Sequence, residues 1–584
     1  MSLEGMRDIQ SEQCEAGKAI FPSIDDRHSA TDDLEPENLS RKASSNNNDV
    51  GDAQQDDREY LTGWRLLLTT IGLLLSLLLV NMEVSIVSTA LISIAADLSG
   101  FSTSSWIVTG FLASYTGFFI IWTKLSDFLG RKIGIISSSI VFIAFSGACG
   151  GSSTMTQLIV FRVFQGIGAS GVYGICVLSI YELVPPYKLP MYGSMVAVTM
   201  ACATAAGPLL GGAITDVGHS VWRWVFYLNL PAGTIAIGLI AIAMPANFPN
   251  GIRKTLRHQP LGNPLSSRQW GSQLDIGGAT LLLSGTFLLI IALFEATTRL
   301  SWSSTVTIGL LVGSGVSWVG FFLWERAVTL REGKIQPVFP WHFFFNRPWM
   351  GMLLVSFLVG FPFNVVVVNL PQRFQTTLDL SPFEAGVRLL PYVLGSSFGA
   401  IVSNGICSRR NIPFIALFFV GGIMQVIGLA LLATLTTEAN FPHVGYFEET
   451  LCGVGLGVAF SILILATPFT ADKQYLAVAT GAIIQLRFLG GAIGLGIASA
   501  IMNSSLRSQL ASVLSSEQLG ALLDNAEVMT RFSPTARKAI QLAFVKIYNQ
   551  QLEIMTGVSG AQLLAVFLIW KRGSQLRAAR QTAN

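Results

Sequence analysis

Charge is scarce in this chain. Only 12% of its 584 residues are Asp, Glu, Lys or Arg, about half the share in an average soluble protein. In so long a chain that shortage excludes a water-soluble enzyme, and the 51% hydrophobic content excludes disorder as the dominant state. It also sets aside the two-to-four-domain count that length alone suggests. Cysteine is thin too: six residues and no CxxC pair. Five of them sit in apolar segments, where a thiol acts as a small hydrophobe, so neither a disulfide framework nor a metal site is expected. The five histidines are scattered. There is no GxxxxGK(S/T) phosphate loop, no HExxH and no GxSxG, which argues against direct ATP drive and the common hydrolytic sites. No nucleic-acid-binding module gathers the basic residues, and no cofactor is implied.

What remains is hydrocarbon with a polar leader. The net charge of +3 sums two unlike parts: residues 1–62 hold 15 acidic and 6 basic residues, while 63–584 hold 19 and 31. The leader, rich in Asp, Ser, Asn and Gln, reads as a disordered acidic tail and not as a signal peptide. A span needs about 20 apolar residues. Fourteen runs qualify, near 65–92, 104–124, 133–151, 156–182, 191–214, 224–244, 275–295, 305–324, 348–370, 385–405, 413–435, 446–470, 476–503 and 552–570. The last is the weakest, because 504–551 is mixed and amphipathic. Short loops on the leader's side carry fifteen Lys and Arg; those on the other side carry Arg223, Arg299, Arg373 and Arg388. The positive-inside rule therefore puts both termini in the cytoplasm. Asn503-Ser504-Ser505 is a glycosylation sequon on the outer side, close to the membrane.

A polytopic bundle with long Gly-rich helices is a channel, a transporter, a receptor or a membrane enzyme, and deciding among them needs the polar residues inside the spans. Thr123-Lys-Leu-Ser-Asp127-Phe-Leu-Gly130-Arg131-Lys132 joins two spans in a few residues, and Gly130 permits the tight turn. Arg162 lies about seven residues into a span, followed by Gln165, Gly166 and Gly168. A charge there is costly and points to function or to a hydrogen-bond hub. Ala206-Gly207-Pro208-Leu-Leu-Gly211-Gly212 puts a bend and close-packing glycines into one helix. Glu83 sits deep in VNMEVSIVSTALISI with no basic residue in its span. A carboxyl that is neutral in one state and charged in another is what proton exchange needs; a plain hydrogen bond to a neighbour is the alternative.

These runs carry a resemblance. The loop after span two resembles the GxLaDrxGrk signature of the major facilitator superfamily, with Thr123 at the family's first Gly. The Arg162 stretch resembles RxxQGxGaa, and the 207–212 stretch resembles the antiporter signature GxxxGPxxGG, with Ala203 at its first Gly. Glu83 falls at the acid of the lDxTIVnvALP motif of the fourteen-span drug:proton antiporters. Trp222-Arg-Trp-Val-Phe-Tyr-Leu-Asn229-Leu-Pro231 is similar to that family's WRWiFyiNlPiG. The resemblance covers about residues 63–500.

It implies an all-α polytopic membrane protein with the major facilitator fold: two six-helix bundles plus two extra central helices. The segments are then 1–62 (tail), 63–245 and 348–570 (bundles), 246–347 (loop, extra spans, linker) and 571–584 (tail). It further implies a proton-coupled efflux antiporter for small hydrophobic drugs, toxins or secondary metabolites, similar to the fungal branch. Glu83 and Arg162 would couple the proton, and Asp127, Gly130, Arg131 and Lys132 would form a cytoplasmic gate. Trp106, Tyr115, Gln165, Gln485 and Arg487 are candidates for the substrate cavity. Expected partners are a small-molecule substrate, protons and the lipid bilayer, with the chain monomeric, in the plasma membrane or else the vacuolar membrane. The alternatives are a vacuolar or uptake carrier of basic amino acids or siderophores, or a sensor that no longer transports.

Overall fold

Inside a bilayer the backbone has to bond within its own segment, so apolar runs of this length fold as helices. The structure, a computed structural model, describes residues 60–570 except 99–104, 216–220, 247, 249–274, 299–301, 332–334, 336, 379, 410–411, 436–442, 472–474, 511–513, 516–517 and 519–531. The leader up to residue 59 and the tail from 571 lie outside the described residues, so the expectation of a disordered leader falls there.

Every regular element among the described residues is helical. The first group is α1 (Gly63–Asp97), α2 (Ser105–Gly117), α3 (Phe119–Leu129), α4 (Arg131–Gly150), α5 (Met155–Leu183), α6 (Leu189–Thr215), α7 (Arg223–Tyr227) and α8 (Asn229–Ala243). Next come α9 (Ile276–Thr298) and α10 (Thr305–Leu330). The last group is α11 (Arg347–Leu378), α12 (Pro382–Arg388), α13 (Leu390–Arg409), α14 (Phe414–Ala433), α15 (His443–Thr470), α16 (Leu476–Leu510) and α17 (Pro534–Ile569).

Among the described residues thirteen helical segments are long and apolar enough to cross a membrane, and α2 with α3 make a fourteenth span bent by 47°. The chain is a multi-pass membrane protein. The bend, which the apolar run at 104–124 did not signal, falls at Gly117. There the side chains of Leu283 and Phe287 on α9 stand 3.1 Å from where a Cβ would project. A glycine in a helix is both a weak point and a place for a neighbour to approach.

Packing sorts the helices into two groups. In the first, α1 lies against α6 and α8, and α5 against α2 and α4. In the second, α11 lies against α16 and α17, and α15 against α13 and α14. The groups meet along α6–α13 and α3–α16. The extra pair packs on itself, and α9 leans on α2 and α16. On α10, Val312, Val316 and Leu323 remain 59%, 67% and 62% exposed, an apolar face suited to lipid.

The region after residue 503 departs from the sequence reading. Helix α16 continues to Leu510, and α17 begins at Pro534, not near 552. Leu506, Leu510 and Leu514 bury against Ile540, Phe544, Ile547 and Tyr548. The amphipathic character of this stretch thus comes from two helix ends that bury their apolar faces on each other. Ser533, accepting a hydrogen bond from the Ala536 N–H, caps the start of α17, with Pro534 in its first turn.

Candidate functional site

Five helices contribute to one buried network built around a carboxylate. Glu83 on α1 and Arg162 on α5 are both fully buried, and Arg162 Nη1 lies 2.6 Å from Glu83 Oε1. Gln165, one turn along α5, donates from Nε2 to Glu83 Oε1 (2.9 Å) and to Ser146 Oγ on α4 (2.7 Å). Its own Oε1 accepts from Arg162 Nη1 at 2.7 Å. The other carboxylate oxygen, Oε2, accepts from Asn229 Nδ2 at 2.8 Å, and Asn229 is the first residue of α8. Arg162 Nε donates to the Ile107 carbonyl on α2 (3.2 Å), while its guanidinium lies 4.1 Å from the centre of the Phe111 ring. Charge-assisted bonds in a low dielectric are what keep a buried ion pair tolerable. Asn229, a direct partner of Glu83, and Ser146, which accepts from Gln165 behind it, were both missed. Asn229 stood in the sequence only as one letter of an aromatic-rich run, and Ser146 is one of several serines in its helix.

The loop between α3 and α4 is a second buried ionic centre. Gly130 has φ of +86°, a left-handed value that glycine adopts without strain. That turn carries Arg131 back over the end of α3, where Nη1 meets Asp127 Oδ1 at 2.7 Å. Nε and Nη2 of Arg131 each lie 2.8 Å from an oxygen of Glu182, the two-pronged match a guanidinium makes to a carboxylate. Glu182 lies at the far end of α5, and its sequence context (IYEL) did not single it out. Lys132 reaches the Ala241 carbonyl at 2.6 Å, tying α4 to α8. Thr123, where the signature has glycine, is fully buried. Facing it are Gly174 on α5 and Gly481 on α16, whose missing Cβ atoms would stand 3.0 and 2.5 Å from Thr123 atoms. The larger residue fits because two glycines oppose it.

At the end of the bundle that holds the α3–α4 loop, the two helix groups are joined by hydrogen bonds. Tyr181 donates to the Ile464 carbonyl at 2.8 Å, and Asn404 Nδ2 donates to Ser194 Oγ at 3.2 Å. Along α6, Gly207 is pressed onto Ser85 of α1, and Pro208 packs 3.2 Å from where a Cβ on Gly386 would stand. Gly211 is buried within α6, and a Cβ on Gly212 would meet nothing within 4 Å.

Between the groups lies a central cavity walled by α1, α6, α11, α13, α15 and α16, with Asn81, Thr204, Phe363, Tyr392, Phe460 and Arg487 among its lining. Of the five residues singled out for a cavity, Arg487 lines it. Gln165 belongs to the Glu83 network. Tyr115 is buried in an aromatic cluster with Phe119, Tyr173 and Phe488, one layer behind Arg487. Gln485 is buried on α16, and Trp106 packs on Phe294 of α9. Asn503 lies inside α16, and Ser505 of its sequon donates to Gln550 on α17.

At the other end, Trp222 is buried and donates to Asp97 Oδ2 at 2.9 Å, while Trp224 is 63% exposed. Arg223 clamps the Gly150 and Ser152 carbonyls at 3.1 and 2.6 Å. The run is therefore part lock and part interface belt.

Two helical groups around a central cavity, with a buried ion pair in one of them, have the architecture of a membrane transporter. The chain belongs to the major facilitator superfamily: the model of that family matches residues 73–495. It is 38% identical over 523 residues to the MFS-type transporter FPY5 of Fusarium mangiferae, covering 90% of this chain and 86% of that one. It is 27% identical over 461 residues to the rubrofusarin-specific efflux pump aurT of Gibberella zeae, covering 78% and 80%. The crystal structure of the human organic anion transporter MFSD10 aligns with a TM-score of 0.52 at 14% identity, over 86% of this chain and 98% of that one. At that identity the likeness shows the fold alone.

Proposed function

We propose that the protein is a proton-coupled efflux antiporter, exporting small and mainly apolar metabolites or toxins through the central cavity. The observation that carries the reading is the Glu83–Arg162 pair at 2.6 Å, fully buried within one helix group. A carboxylate so held is stable while Arg162 faces it, and taking up a proton releases that hold. Protonation and substrate then bias one two-state equilibrium between inward- and outward-open forms. In this reading residues 63–245 and 348–570 rock against each other, and the Asp127–Arg131–Glu182 centre latches the cytoplasmic side. The cytoplasmic placement of that centre rests on the excess of Lys and Arg in the loops at its end. The named efflux function of relatives such as aurT supports export over uptake.

The test is expression in an efflux-deficient host, with retention measured for a panel of dyes and toxins. The parent is expected to lower retention of part of the panel, and a protonophore to abolish the effect. Glu83→Gln is expected to return retention to that of the host alone. Export by Glu83→Gln at the parent's rate, unaffected by the protonophore, would falsify proton coupling through this site.

A further inference from the structure

Resting on the reading of the central cavity as the substrate site, we infer that its preferred cargo is an aromatic or conjugated molecule bearing one negative charge, a carboxylate or an acidic phenolate. The inference starts from Arg487. Arg131 and Arg162 each face a carboxylate at 2.8 Å or less, whereas among the described residues no Asp or Glu pairs with Arg487. Its Nη2 donates to the Tyr173 hydroxyl at 3.1 Å, and its Nε, buried, has no partner. The guanidinium lies instead against rings, 4.3 Å from the centre of Phe488, 4.4 Å from Phe460 and 5.5 Å from Phe363. Aromatic faces soften a buried cation but do not neutralise it. An unpaired charge inside a membrane protein is costly, and residues that keep one are functional.

The rest of the lining fits the same ligand. No Asp or Glu lines the cavity among the described residues, so a cationic compound would meet a like charge and no counter-charge. Tyr392, also lining it, is buried with its hydroxyl unpartnered and can donate a second hydrogen bond. Phe363 and Phe460 supply flat apolar walls. Glu83 does not compensate Arg487: it is fully buried and taken by Arg162, Gln165 and Asn229, while Asn81, two residues earlier on α1, faces the cavity. An anionic aromatic ligand would meet the guanidinium with its charge and the phenyl walls with its ring. That is electrostatic complementarity, which gives specificity above raw affinity.

The experiment uses the purified full-length protein and three matched probes: 1-naphthoic acid, its methyl ester and 1-naphthylmethylamine. Ligand-induced thermal stabilisation is measured at neutral pH as a function of concentration. The acid is expected to act at a concentration at least about tenfold below that of either other probe, the scale of one charge-assisted contact. In Arg487→Gln the acid-to-ester ratio should fall by about the same factor, and Arg487→Lys should keep part of it. If Arg487→Gln fails to fold, the ranking of the three probes on the parent decides alone. An amine or ester that binds as well as the acid, or no binding by any of the three, overturns the inference. Neither result touches the export reading, which stands or falls on the cellular panel.

Discussion

Asn229 Nδ2 lies 2.8 Å from Glu83 Oε2, so the first residue of α8 holds the oxygen that Arg162 leaves free. The two oxygens of one carboxylate are thus gripped from different helices, Oε1 by α5 and Oε2 by α8. Any change in the charge of Glu83 is felt at once by both.

The amide is therefore expected to matter nearly as much as the arginine. Asn229→Leu removes a hydrogen bond to a charged group, worth about 1.5–3 kcal/mol and so about ten- to a hundredfold in the equilibrium it supports. Transport should fall by roughly tenfold at unchanged surface expression. Asn229→Asp, which sets a second acid against Glu83, should be worse. Initial rates of efflux for the two variants check this; unchanged rates in Asn229→Leu would leave Glu83 supported by Arg162 and Gln165 alone.

The Asp127–Arg131–Glu182 centre makes a different kind of prediction. Glu182→Gln leaves Arg131, which is 2% exposed, with Asp127 as its one remaining acid. Breaking one partner from a buried charge costs about 3–5 kcal/mol. Glu182 is next to Tyr181, which donates to the Ile464 carbonyl across the two groups, so the closed arrangement at this end should lose population. Cysteines at positions 194 and 404, whose parent side chains hydrogen-bond across the two groups, should then crosslink less in Glu182→Gln than in the parent. Asp127→Asn with Glu182→Gln should be less than additive, since both act through Arg131.

Much of this was legible before the fold was. Apolar runs marked the place and order of the spans, because a lipid-crossing helix has to be apolar along its length, but not every end: α11 runs on to Leu378 and α16 to Leu510. Glu83 and Arg162 stood out for the same reason: a charge within such a run has few innocent explanations. Glu182 and Asn229 did not, as each sits at a helix end where a polar residue is ordinary. Their role exists only through residues 51 and 146 positions away in sequence, Arg131 and Glu83. The start of α17 was hidden too, because its first turns bury against α16 and not in lipid, so they read as mixed. Trp106 and Gln485 looked like cavity residues by type, but helix rotation, which a sequence without partners does not fix, decides what faces a cavity.

Gly207 tests how tightly the Gly207–Gly212 stretch of α6 binds its own group. A Cβ there would collide with Ser85 Oγ, stand 2.7 Å from Ser85 Cβ and 3.0 Å from the Ile86 nitrogen. Gly207→Ala should destabilise by about 1–3 kcal/mol as an overpacked contact. Ser85→Gly removes the first two clashes and leaves the backbone one, so the double variant should recover part of the loss. Thermal melting in detergent of the single and double variants measures it. A Gly207→Ala protein as stable as the parent would mean that α1 and α6 separate at little cost.

The sidedness proposed from loop charge can be read chemically. Tyr187 is 42% exposed in the turn between α5 and α6, at the end that holds the α3–α4 loop. Ser515 is exposed just past the end of α16, where that helix and α17 pack together at the opposite end. In a background with Cys14 and the exposed Cys202 replaced, Ser515→Cys should react with a membrane-impermeant maleimide on intact cells. Tyr187→Cys should react only after permeabilisation. The remaining described cysteines, Cys149, Cys176, Cys407 and Cys452, are buried and should stay silent in both conditions. The reverse labelling pattern would invert the molecule, moving the Asp127–Arg131–Glu182 latch to the outer face and turning the assigned gate into the exit.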